Sequence, residues 1–437
     1  MKKVTLIQPR SSDGGVTGAF FYKNIPSQGL IQLEALTPSD WEVQTVNENF
    51  EPIDFDGPVD VVGITALTSL APRAYDIAKR YRSRGIPVIM GGIHASIYPE
   101  EVANHVDSVV VGEADELWTS ILDDVWHKRL QPVYHATRPS HLDFNFQRRP
   151  KRTYSVGVSK YFSSMKSTYT YFQTGRGCPI GCDFCSVAQF NGKVIRKRSV
   201  EKLIVDIKAE LAAHKVDYLV FMDDNIVADK AYAIELFKEL AKLNVRWMSQ
   251  TDIRITDPDI IDVAAYSGLA MVFLGLESIN PDVLENSASR TKNMWHDRYE
   301  SAIRELHKRG IAIMGSFMVG SDYDPPGVGE ATAEWAIKNK LDTAVFHILT
   351  PLPGTALFNR LDAERRIITR QWDKYDLSHC VFVPKNRRPD EVLAEAGKAH
   401  RKFYSFWSII RRMNNLAFQD LASSLFINFD FRKYGNL

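Results

Sequence analysis

The sequence predicts an α/β protein with a doubly wound, Rossmann-like parallel sheet, then a partial (β/α)6 TIM-type barrel, then a small and mostly helical C-terminal region. Short apolar runs of strand length alternate with helical patterns in two stretches of the chain, which is typical of parallel sheets. A stretch rich in Pro, Arg and Ser, without a regular period, separates the two. We therefore expect a first domain at residues 1–135, a linker at 136–167, a barrel at 168–360 and a C-terminal region at 361–437.

Five apolar runs of strand length define the first domain. The third of them is apolar apart from Asp60, as expected for a central parallel strand that is buried on both faces. Residues 72–84 place apolar side chains on one helical face and end at Gly85. The five predicted strands are residues 4–8, 41–46, 59–65, 87–90 and 108–111.

The loops after three of these strands are rich in small and polar residues. Ligands of doubly wound sheets bind outside the carboxyl ends of the strands, where such loops lie, and glycine lets the backbone approach a large ligand closely. Any one of these loops is equally well explained as a tight turn, whereas three on one edge favour a ligand. The candidate ligand-binding residues are Thr65, Thr68, Ser69, Gly91, Gly92, His94, Gly112 and Glu113.

Six further runs of strand length follow the linker and are again separated by helical patterns. Helices are expected at residues 231–243 and 295–309, the latter closed by Gly310. Six strand–helix units are too few to close an eight-stranded barrel, so a partial barrel is expected. The predicted strands are residues 168–173, 218–222, 246–250, 271–276, 312–318 and 344–349.

Composition places the chain among soluble globular proteins, with 45% hydrophobic and 24% charged residues. A net charge of +1 gives no reason to expect nucleic acid as a partner. Met1 leads directly into a strand-like run, so no secretory signal is expected. The longest apolar stretch, residues 260–279, is interrupted by Asp262 and Glu277 and is interpreted as a buried helix plus strand, not a membrane span. Four cysteines, three of them clustered, favour metal binding in a reducing cytoplasm over disulfides.

Three of the four cysteines lie on one short segment. Cys178, Cys182 and Cys185 supply three thiolates, each able to bind one iron of a four-iron cluster. The remaining Cys380 is almost two hundred residues away, so the fourth iron is expected to take a ligand from outside the protein. A structural zinc site is the main alternative, but it would need a fourth Cys or His at local spacing, and no histidine is placed that way.

The spacing of these cysteines, with Phe184 directly before the last, resembles the radical S-adenosylmethionine superfamily over about residues 169–353. The resemblance implies a [4Fe–4S] cluster on the three cysteines, with its open iron chelated by the amino and carboxylate groups of S-adenosylmethionine. It also implies one-electron cleavage of that cofactor to methionine and a 5′-deoxyadenosyl radical, which abstracts hydrogen from an unactivated carbon. The protein then mainly orients the reactants and excludes water.

Polar residues at later strand ends extend the resemblance to the site of S-adenosylmethionine. Asp223, Asp224 and Asn225 follow the second barrel strand, where the family binds the methionine amino group. Each acid has the alternative role of a helix cap or a surface carboxylate. The other candidates are Gln250 and Arg254 after the third strand, toward ribose or carboxylate, Glu277 at the end of the fourth, and Pro351 in the adenine-side segment after the sixth.

The first domain resembles the cobalamin-dependent branch of the same superfamily. The Asp-x-His-x-x-Gly motif, whose histidine ligates cobalt in other cobalamin proteins, is absent, and the radical branch commonly binds the corrinoid with its lower face unligated. His94 is therefore no candidate axial ligand, and its loop either faces the corrinoid or forms a surface turn. The resemblance rests on the order and spacing of residues 24–30, 63–65, 91–94, 99–101 and 111–114.

Together the two resemblances imply a cobalamin-dependent radical methyltransferase that acts on an unactivated carbon. One S-adenosylmethionine would methylate cobalamin, and a second would supply the radical. Three alternatives stay open: non-methylating radical chemistry (cyclisation, hydroxylation or rearrangement) on a tetrapyrrole-like or other small molecule, a non-catalytic corrinoid or cluster carrier, and a methylthiotransferase acting on transfer RNA. The last would need three further cysteines in the N-terminal domain, and residues 1–170 contain none.

The expected partners are a small-molecule substrate and an electron donor such as flavodoxin or ferredoxin. The tail beyond residue 400 has aromatic and apolar residues at helical spacing, flanked by basic residues. One interpretation is a helix that packs back on the barrel. The other is an amphipathic helix that contacts a membrane or a lipid-like substrate, with Arg411 and Arg412 at the lipid surface. The apolar positions are Phe403, Phe406, Trp407, Ile410 and Met413.

Overall fold

The computed structural model describes residues 2–11, 25–137, 139–143, 146–157, 166–287, 292, 294–412 and 421–432. These residues form two compact units. Unit 1 holds the described residues up to Arg152 and also a short segment from far along the chain, Arg370–Asp376. Unit 2 holds the described residues from Thr153 to Thr369 and from Leu377 onward. The sequence gives no sign of the returning segment, because no local pattern marks a few residues that belong to another unit.

Unit 1 contains a parallel sheet with helices on both faces, which confirms the predicted doubly wound fold. Its elements are β1 (Lys2–Gln8), α1 (Gln28–Leu36), β2 (Trp41–Asn47), β3 (Val61–Thr65), α2 (Ala71–Arg82), β4 (Val88–Gly91), α3 (Ile93–Ile97), α4 (Pro99–Ala103), β5 (Ser108–Val111), α5 (Trp118–Trp126) and β6 (Val133–His135). The strand order is β2-β1-β3-β4-β5-β6.

Each face of this sheet has its own apolar core. On one face, Ile7 of β1 packs in a cluster with Ile77 of α2. On the other face, Leu6 packs in a cluster with Trp118 of α5 and Leu30 of α1. Neighbouring residues of one strand thus point into opposite cores, as the two-residue period of a strand requires. This double burial explains why the strands are almost continuously apolar in the sequence.

Unit 2 is built on a second, larger sheet. Its elements before the C-terminal region are β7 (Thr153–Gly157), β8 (Lys166–Phe172), β9 (Gly175–Arg176), α6 (Val187–Phe190), β10 (Arg196–Lys197), α7 (Val200–Ala213), β11 (Tyr218–Phe221), α8 (Lys230–Ala241), β12 (Trp247–Thr251), α9 (Pro258–Tyr266), β13 (Leu269–Glu277), α10 (Pro281–Ser287), α11 (Tyr299–Lys308), β14 (Ala312–Val319), α12 (Val328–Lys338) and β15 (Thr343–Ile348). The strand order is β15-β14-β13-β12-β11-β8-β7.

The parallel strands β8 and β11 to β15 confirm the predicted partial barrel of six strand–helix units. The edge strand β7 is antiparallel to β8 and lies inside residues 136–167, which are predicted from the sequence to be a linker. This segment forms a strand because it pairs with β8, and the hydroxyls of Thr153 and Thr170 lie 2.9 Å apart across the two strands. Such long-range pairing leaves little trace in the composition of a short edge strand.

The C-terminal helices are α13 (Ala356–Ala363), α14 (Pro389–Phe403), α15 (Phe406–Arg412) and α16 (Leu421–Arg432). Phe403 is fully buried and packs against Phe346 of β15. Three other apolar residues of the predicted helical face, Phe406, Trp407 and Ile410, are exposed. Met413 lies outside the described residues. Within the described ranges, no helix has both the length and the apolar character needed to cross a lipid bilayer.

Arg412 is buried, so the hypothesis that it faces a lipid surface is wrong. Its guanidinium donates to the carbonyl oxygens of Leu341, Asp342 and Phe403 at 3.0, 2.7 and 3.1 Å. It also lies 3.7 Å from the centre of the Phe403 ring. The side chain therefore fastens α15 to the connection before β15, and only the neighbouring Arg411 is exposed.

Replacing Arg412 with alanine is expected to lower the free energy of unfolding of unit 2 by about 3 kcal/mol or more, because buried carbonyl oxygens lose their donors. Arg411→Ala is the matched control and should change it by less than about 0.5 kcal/mol. Urea unfolding followed by circular dichroism measures both variants. Equal destabilisation by the two substitutions would contradict the buried role of Arg412.

Candidate functional site

The three clustered cysteines lie on the loop between β8 and α6, which we call the cluster loop (residues 173–186). Gly177 and Gly181 both adopt left-handed backbone conformations, with φ of 103° and 69°. A Cβ atom on Gly177 would lie 2.5 Å from the carbonyl oxygen of Val194, so only glycine fits there. The amide of Cys185 donates to the carbonyl oxygen of Cys182 at 3.2 Å, which closes a turn between these two cysteines.

The thiols of the cluster loop have the donor chemistry of an iron–sulfur site. Burial raises the pKa of all three, to about 12 for Cys182 and about 11 for Cys185. Since only thiolates ligate iron, iron must displace these protons. In the part of the chain that the structure describes, no three metal-ligating side chains converge on a single ion. The cysteines of a cubane cluster need not converge, because each binds a different iron, so this donor set fits a cluster.

Asp223 and Asp224, directly after β11, hold the start of the cluster loop. The Asp223 carboxylate accepts hydrogen bonds from the amide of Thr174 at 3.1 Å, from its hydroxyl at 2.7 Å and from the amide of Gly175 at 2.5 Å. The Asp224 carboxylate accepts one from the amide of Gly177 at 2.8 Å. Burial raises the pKa of Asp223 to about 7, although these donors oppose the shift. Both carboxylates are thus engaged with the backbone that leads into Cys178.

A chain of polar contacts joins the ends of β11 and β12. Asn225 donates from Nδ2 to Asp252 at 2.6 Å. The guanidinium of Arg254 binds both carboxylate oxygens of Asp252 at 2.7–3.1 Å and lies 5.3 Å from the centre of the Trp295 ring. The structure therefore brings Asn225 and Arg254 together through Asp252. Asp252 is not among the candidate residues predicted from the sequence, where only its place two residues before Arg254 indicates a role in the site. Gln250 lies on β12 with an exposed side chain.

Glu277, at the end of β13, forms a buried ion pair with Lys292. Its φ of 67° is a left-handed conformation that is uncommon outside glycine. The ammonium of Lys292 contacts the carboxylate and donates to the carbonyl oxygen of Gly275 at 3.2 Å. Burial opposes ionisation, but the carboxylate of Glu277 outweighs it and raises the pKa of Lys292. Sequence reasoning missed Lys292 because it lies in a polar stretch without periodicity.

Lys292 also acts on the cluster loop. Burial is the main cause of the raised pKa of Cys182, and the ammonium of Lys292 opposes it. The carboxylate of Glu277 has the opposite effect and raises the pKa of Cys185 further. A buried cation and its carboxylate partner thus lie within electrostatic reach of two of the three clustered cysteines, Cys182 and Cys185.

The connection after β15 contacts the cluster loop as well. The amide of Leu357, in the first turn of α13, donates to the carbonyl oxygen of Asp183 at 3.0 Å. Phe184 packs against an apolar cluster that contains Ile348. Pro351 is buried in the connection between β15 and α13. Four strand ends of unit 2 therefore supply residues near the cysteines or in contact with their loop, namely those of β11, β12, β13 and β15.

In unit 1, hydrogen bonds join the loops that follow β3, β4 and β5. The amide of His94 donates to the carbonyl oxygen of Ala66 at 3.2 Å. The hydroxyl of Ser96 donates to the carbonyl oxygen of Gly92 at 2.9 Å and accepts from the amide of Gly112 at 2.9 Å. The three loops predicted to bind a ligand thus form one continuous edge.

Small residues are required along this edge. A Cβ atom on Gly92, where φ is 95°, would lie 2.8 Å from the hydroxyl oxygen of Thr65. A Cβ atom on Gly112, where φ is 87°, would lie 2.9 Å from the Cβ of Ala136. Thr68 and Ser69 begin a short 3-10 turn after β3, and Glu113 accepts a hydrogen bond from the amide of Ser140. Backbone groups and side-chain hydroxyls along this edge can form hydrogen bonds with a large ligand that carries amide groups, as a corrinoid does.

His94 is fully buried inside unit 1 and is not a surface-turn side chain. Its Nε2 lies 2.9 Å from the hydroxyl of Tyr75, which donates to Glu101 at 2.8 Å. Trp372, from the returning segment Arg370–Asp376, also donates to Glu101 at 2.9 Å. Burial lowers the pKa of His94, and Glu101 opposes the shift. The structure thus places this ring in an internal polar cluster next to the candidate ligand loops.

Two family models match the chain. One, described as the radical SAM superfamily, covers residues 172–336, and the other, described as the B12 binding domain, covers residues 33–122. The radical SAM domain accounts for a [4Fe–4S] cluster and S-adenosylmethionine as cofactors, and the B12 binding domain accounts for cobalamin. The first match includes all three cysteines, and the second includes the loops after β3, β4 and β5.

Known proteins match both units together. The bacteriochlorophyllide d C-12(1)-methyltransferase of Chlorobaculum tepidum is 31% identical, over 98% of this chain and 92% of that protein. The bacteriochlorophyllide d C-8(2)-methyltransferase of the same organism is also 31% identical, over 87% of this chain and 86% of that protein. The solved radical S-adenosylmethionine methyltransferase TsrM of Kitasatospora setae shares the fold, with a TM-score of 0.64, 15% identity and coverage of 84% and 77%. On this evidence the chain belongs to the family of cobalamin-dependent radical S-adenosylmethionine methyltransferases.

Proposed function

We propose that the chain transfers a methyl group to an unactivated carbon of a tetrapyrrole-like substrate. The observation that carries this proposal is the similarity to the bacteriochlorophyllide d C-12(1)-methyltransferase, because the alignment extends over 98% of the chain and so includes both units. The second relative is named for another position of the same bacteriochlorophyllide. Both names point to C-methylation of a large, mainly apolar ring system.

Under this proposal the residues of unit 2 have separate tasks. Cys178, Cys182 and Cys185 hold the cluster, while the two aspartates after β11 hold the backbone that carries it. Arg254 and Lys292 are cations that already face partly or fully buried carboxylates. Alternating charges of this kind suit the zwitterionic methionine end of S-adenosylmethionine, because charge-assisted hydrogen bonds are strong in a water-poor site. When bound, the cluster and S-adenosylmethionine supply the radical, and cobalamin supplies the methyl group.

The loops of unit 1 would bind the corrinoid mainly through their backbone. Gly92 and Gly112 let the loops pack closely against Thr65 and Ala136, so that backbone lies along the edge. His94 would act from inside the unit by fixing the loop after β4, with no direct bond to cobalt.

Product analysis tests the proposal. The anaerobically reconstituted protein, supplied with S-adenosylmethionine, cobalamin, dithionite and a bacteriochlorophyllide or a related chlorin, should form S-adenosylhomocysteine and 5′-deoxyadenosine together with a product in which one methyl group replaces a hydrogen of the substrate. Deoxyadenosine without S-adenosylhomocysteine would instead support non-methylating radical chemistry. Failure to cleave S-adenosylmethionine under any of these conditions would favour a carrier.

The exposed face of α15 supports a further proposal about location. Trp407 is 72% exposed, Phe406 45% and Ile410 41%, and Arg411 lies beside them. We propose that this face makes peripheral contact with an anionic membrane. We also propose that the protein works in the cytoplasm. A Phe406→Ser/Trp407→Ser double variant should lose most of its partitioning onto anionic vesicles. Equal partitioning of variant and wild type would remove this proposal.

A further inference from the structure

The geometry points to a docking surface for an acidic one-electron carrier protein of the flavodoxin or ferredoxin class. The surface is the segment of residues 192–198, which we call the basic arm. This inference rests on the proposed function, since radical formation requires that one electron reach the cluster held by the cysteines. In that step no bond forms or breaks: the reduced carrier loses one electron and the cluster gains it.

The basic arm lies directly against the cluster loop. β10 in the arm pairs with β9 in the loop, with Arg196 opposite Arg176. The amide of Cys178 donates to the carbonyl oxygen of Gly192 at 3.2 Å. Further along the arm, the carbonyl oxygen of Val194 fills the space that a side chain on Gly177 would need. The arm is therefore in backbone contact with the first cluster ligand and with the residues just before it.

Two exposed lysines, Lys193 and Lys197, lie on this arm. Lys193 is exposed and makes no ion pair with any described residue, and its Cε lies 3.9 Å from where a Cβ of Gly181 would be, so its stem covers the cluster loop between Cys178 and Cys182. Lys197 is exposed and pairs with Asp229 at 2.5 Å. The basic arm, residues 192–198, has four basic residues and no acidic residue in its sequence, although the whole chain has a net charge of only +1.

Not every cation of the arm faces solvent. Arg198 is buried and paired with Asp206 at 2.7 Å, which fastens the arm to α7. Val194, by contrast, is 77% exposed in the middle of the exposed lysines. A small apolar centre with a charged rim is typical of transient protein interfaces, and interfaces with electron carriers are small. Complementary charge mainly raises the rate of encounter, which suits a carrier that must arrive, deliver one electron and leave.

The basic arm is favoured over other surfaces of the chain as the docking site because it lies next to the cluster loop. Electron transfer slows steeply with distance, so a carrier must approach the cysteines closely. The arm offers positive charge and an exposed apolar residue at a point where main chain contacts Cys178 directly. The exposed face of α15 has a similar mixture of apolar and basic residues, but it lies in the C-terminal helices and no contact links it to the cluster loop in the part of the chain that the structure describes.

Two electron donors test this inference on the full, reconstituted protein. Cluster reduction is followed anaerobically by absorbance and by electron paramagnetic resonance, with either reduced flavodoxin or dithionite as donor. A Lys193→Glu/Lys197→Glu variant should be reduced by flavodoxin about tenfold or more slowly than wild type at low salt. Reduction by dithionite, a small donor that needs no docking surface, should be unchanged. The difference between variant and wild type should shrink at about 1 M salt, where charges are screened over a few ångströms.

A Lys242→Glu/Lys338→Glu variant is the matched control, because it reverses two exposed lysines at the C-terminal ends of α8 and α12 in the same unit. It should be reduced by flavodoxin at the wild-type rate. Calorimetric titration with flavodoxin gives a second readout, in which only the arm variant should bind more weakly. Wild-type reduction of the arm variant by flavodoxin, or equal slowing with both donors, would overturn the docking surface. Failure of the methylation proposal would be seen separately, as wild type that is reduced by both donors yet forms no methylated product.

Discussion

Replacing Asp223 with asparagine is expected to lower the iron content of the reconstituted protein to less than about half that of wild type. At about pH 8 or above, where Asp223 with its pKa of about 7 is ionised, the substitution keeps the size of the side chain but removes the charge that accepts hydrogen bonds from the amides of Thr174 and Gly175. Hydrogen bonds to a charged group contribute about 2 kcal/mol, which corresponds to roughly thirtyfold in the equilibrium between an ordered and a disordered loop. Iron analysis and cluster absorbance, both measured without S-adenosylmethionine, check this expectation.

The same experiment separates two roles for this carboxylate. The family resemblance assigns Asp223 to the amino group of S-adenosylmethionine, whereas the contacts assign it to the backbone of the cluster loop. A residue that only binds S-adenosylmethionine would leave the iron content at the wild-type value and weaken binding of the cofactor. Asp262→Asn is the matched control, because Asp262 is an exposed acid of the same unit that pairs with Arg309 at the surface. The Asp262→Asn variant should hold as much iron as wild type.

Replacing Lys292 with methionine is expected to weaken binding of S-adenosylmethionine by about tenfold to a hundredfold and to destabilise unit 2. The substitution leaves the carboxylate of Glu277 buried without its partner, and breaking such a pair costs about 3–5 kcal/mol. Equilibrium binding of S-adenosylmethionine to the oxidised, reconstituted protein gives the first effect, and urea unfolding gives the second. Lys242→Met, which breaks an exposed pair with Glu239, should change neither the affinity for S-adenosylmethionine nor the free energy of unfolding by a measurable amount.

A double variant distinguishes a binding role of Lys292 from a merely structural one. Lys292→Met combined with Glu277→Gln removes both charges, and losing a whole buried pair is often close to neutral for stability. We expect the double variant to regain most of the lost stability but not the affinity for S-adenosylmethionine. Recovery of both properties would show that the pair serves the fold alone, and would contradict its proposed place at the cofactor.

Local patterns in the sequence were enough to predict the elements that carry the site. Strands buried on both faces, such as β3, are nearly continuous apolar runs, and the loops that follow them contain the small residues of a ligand edge. The cluster loop is equally local, since its three cysteines lie within eight residues. The partial barrel follows from the count of strand–helix units.

The partners of the site residues could not be predicted, because their contacts span long stretches of sequence. Asp223 holds an amide 49 residues earlier in the chain, and Lys292 reaches Glu277 from a stretch without any period. Trp372 donates to a carboxylate 271 residues away. Arg412 looked like a surface cation because it lies next to exposed aromatic residues, yet tertiary contacts bury it. In each case the sequence identifies the residue type, and only the fold identifies its partner.

The three thiolates of the cluster loop, with one iron left for S-adenosylmethionine, are the basis of the whole account. Its most direct test compares the anaerobically reconstituted wild type with a Cys178→Ala/Cys182→Ala/Cys185→Ala variant and with Cys380→Ala. Wild type and Cys380→Ala should each hold about four irons and give a reduced-cluster resonance spectrum that changes when S-adenosylmethionine is added, while the triple variant should hold almost no iron. A triple variant that keeps its iron, or a wild-type spectrum indifferent to S-adenosylmethionine, would contradict the account.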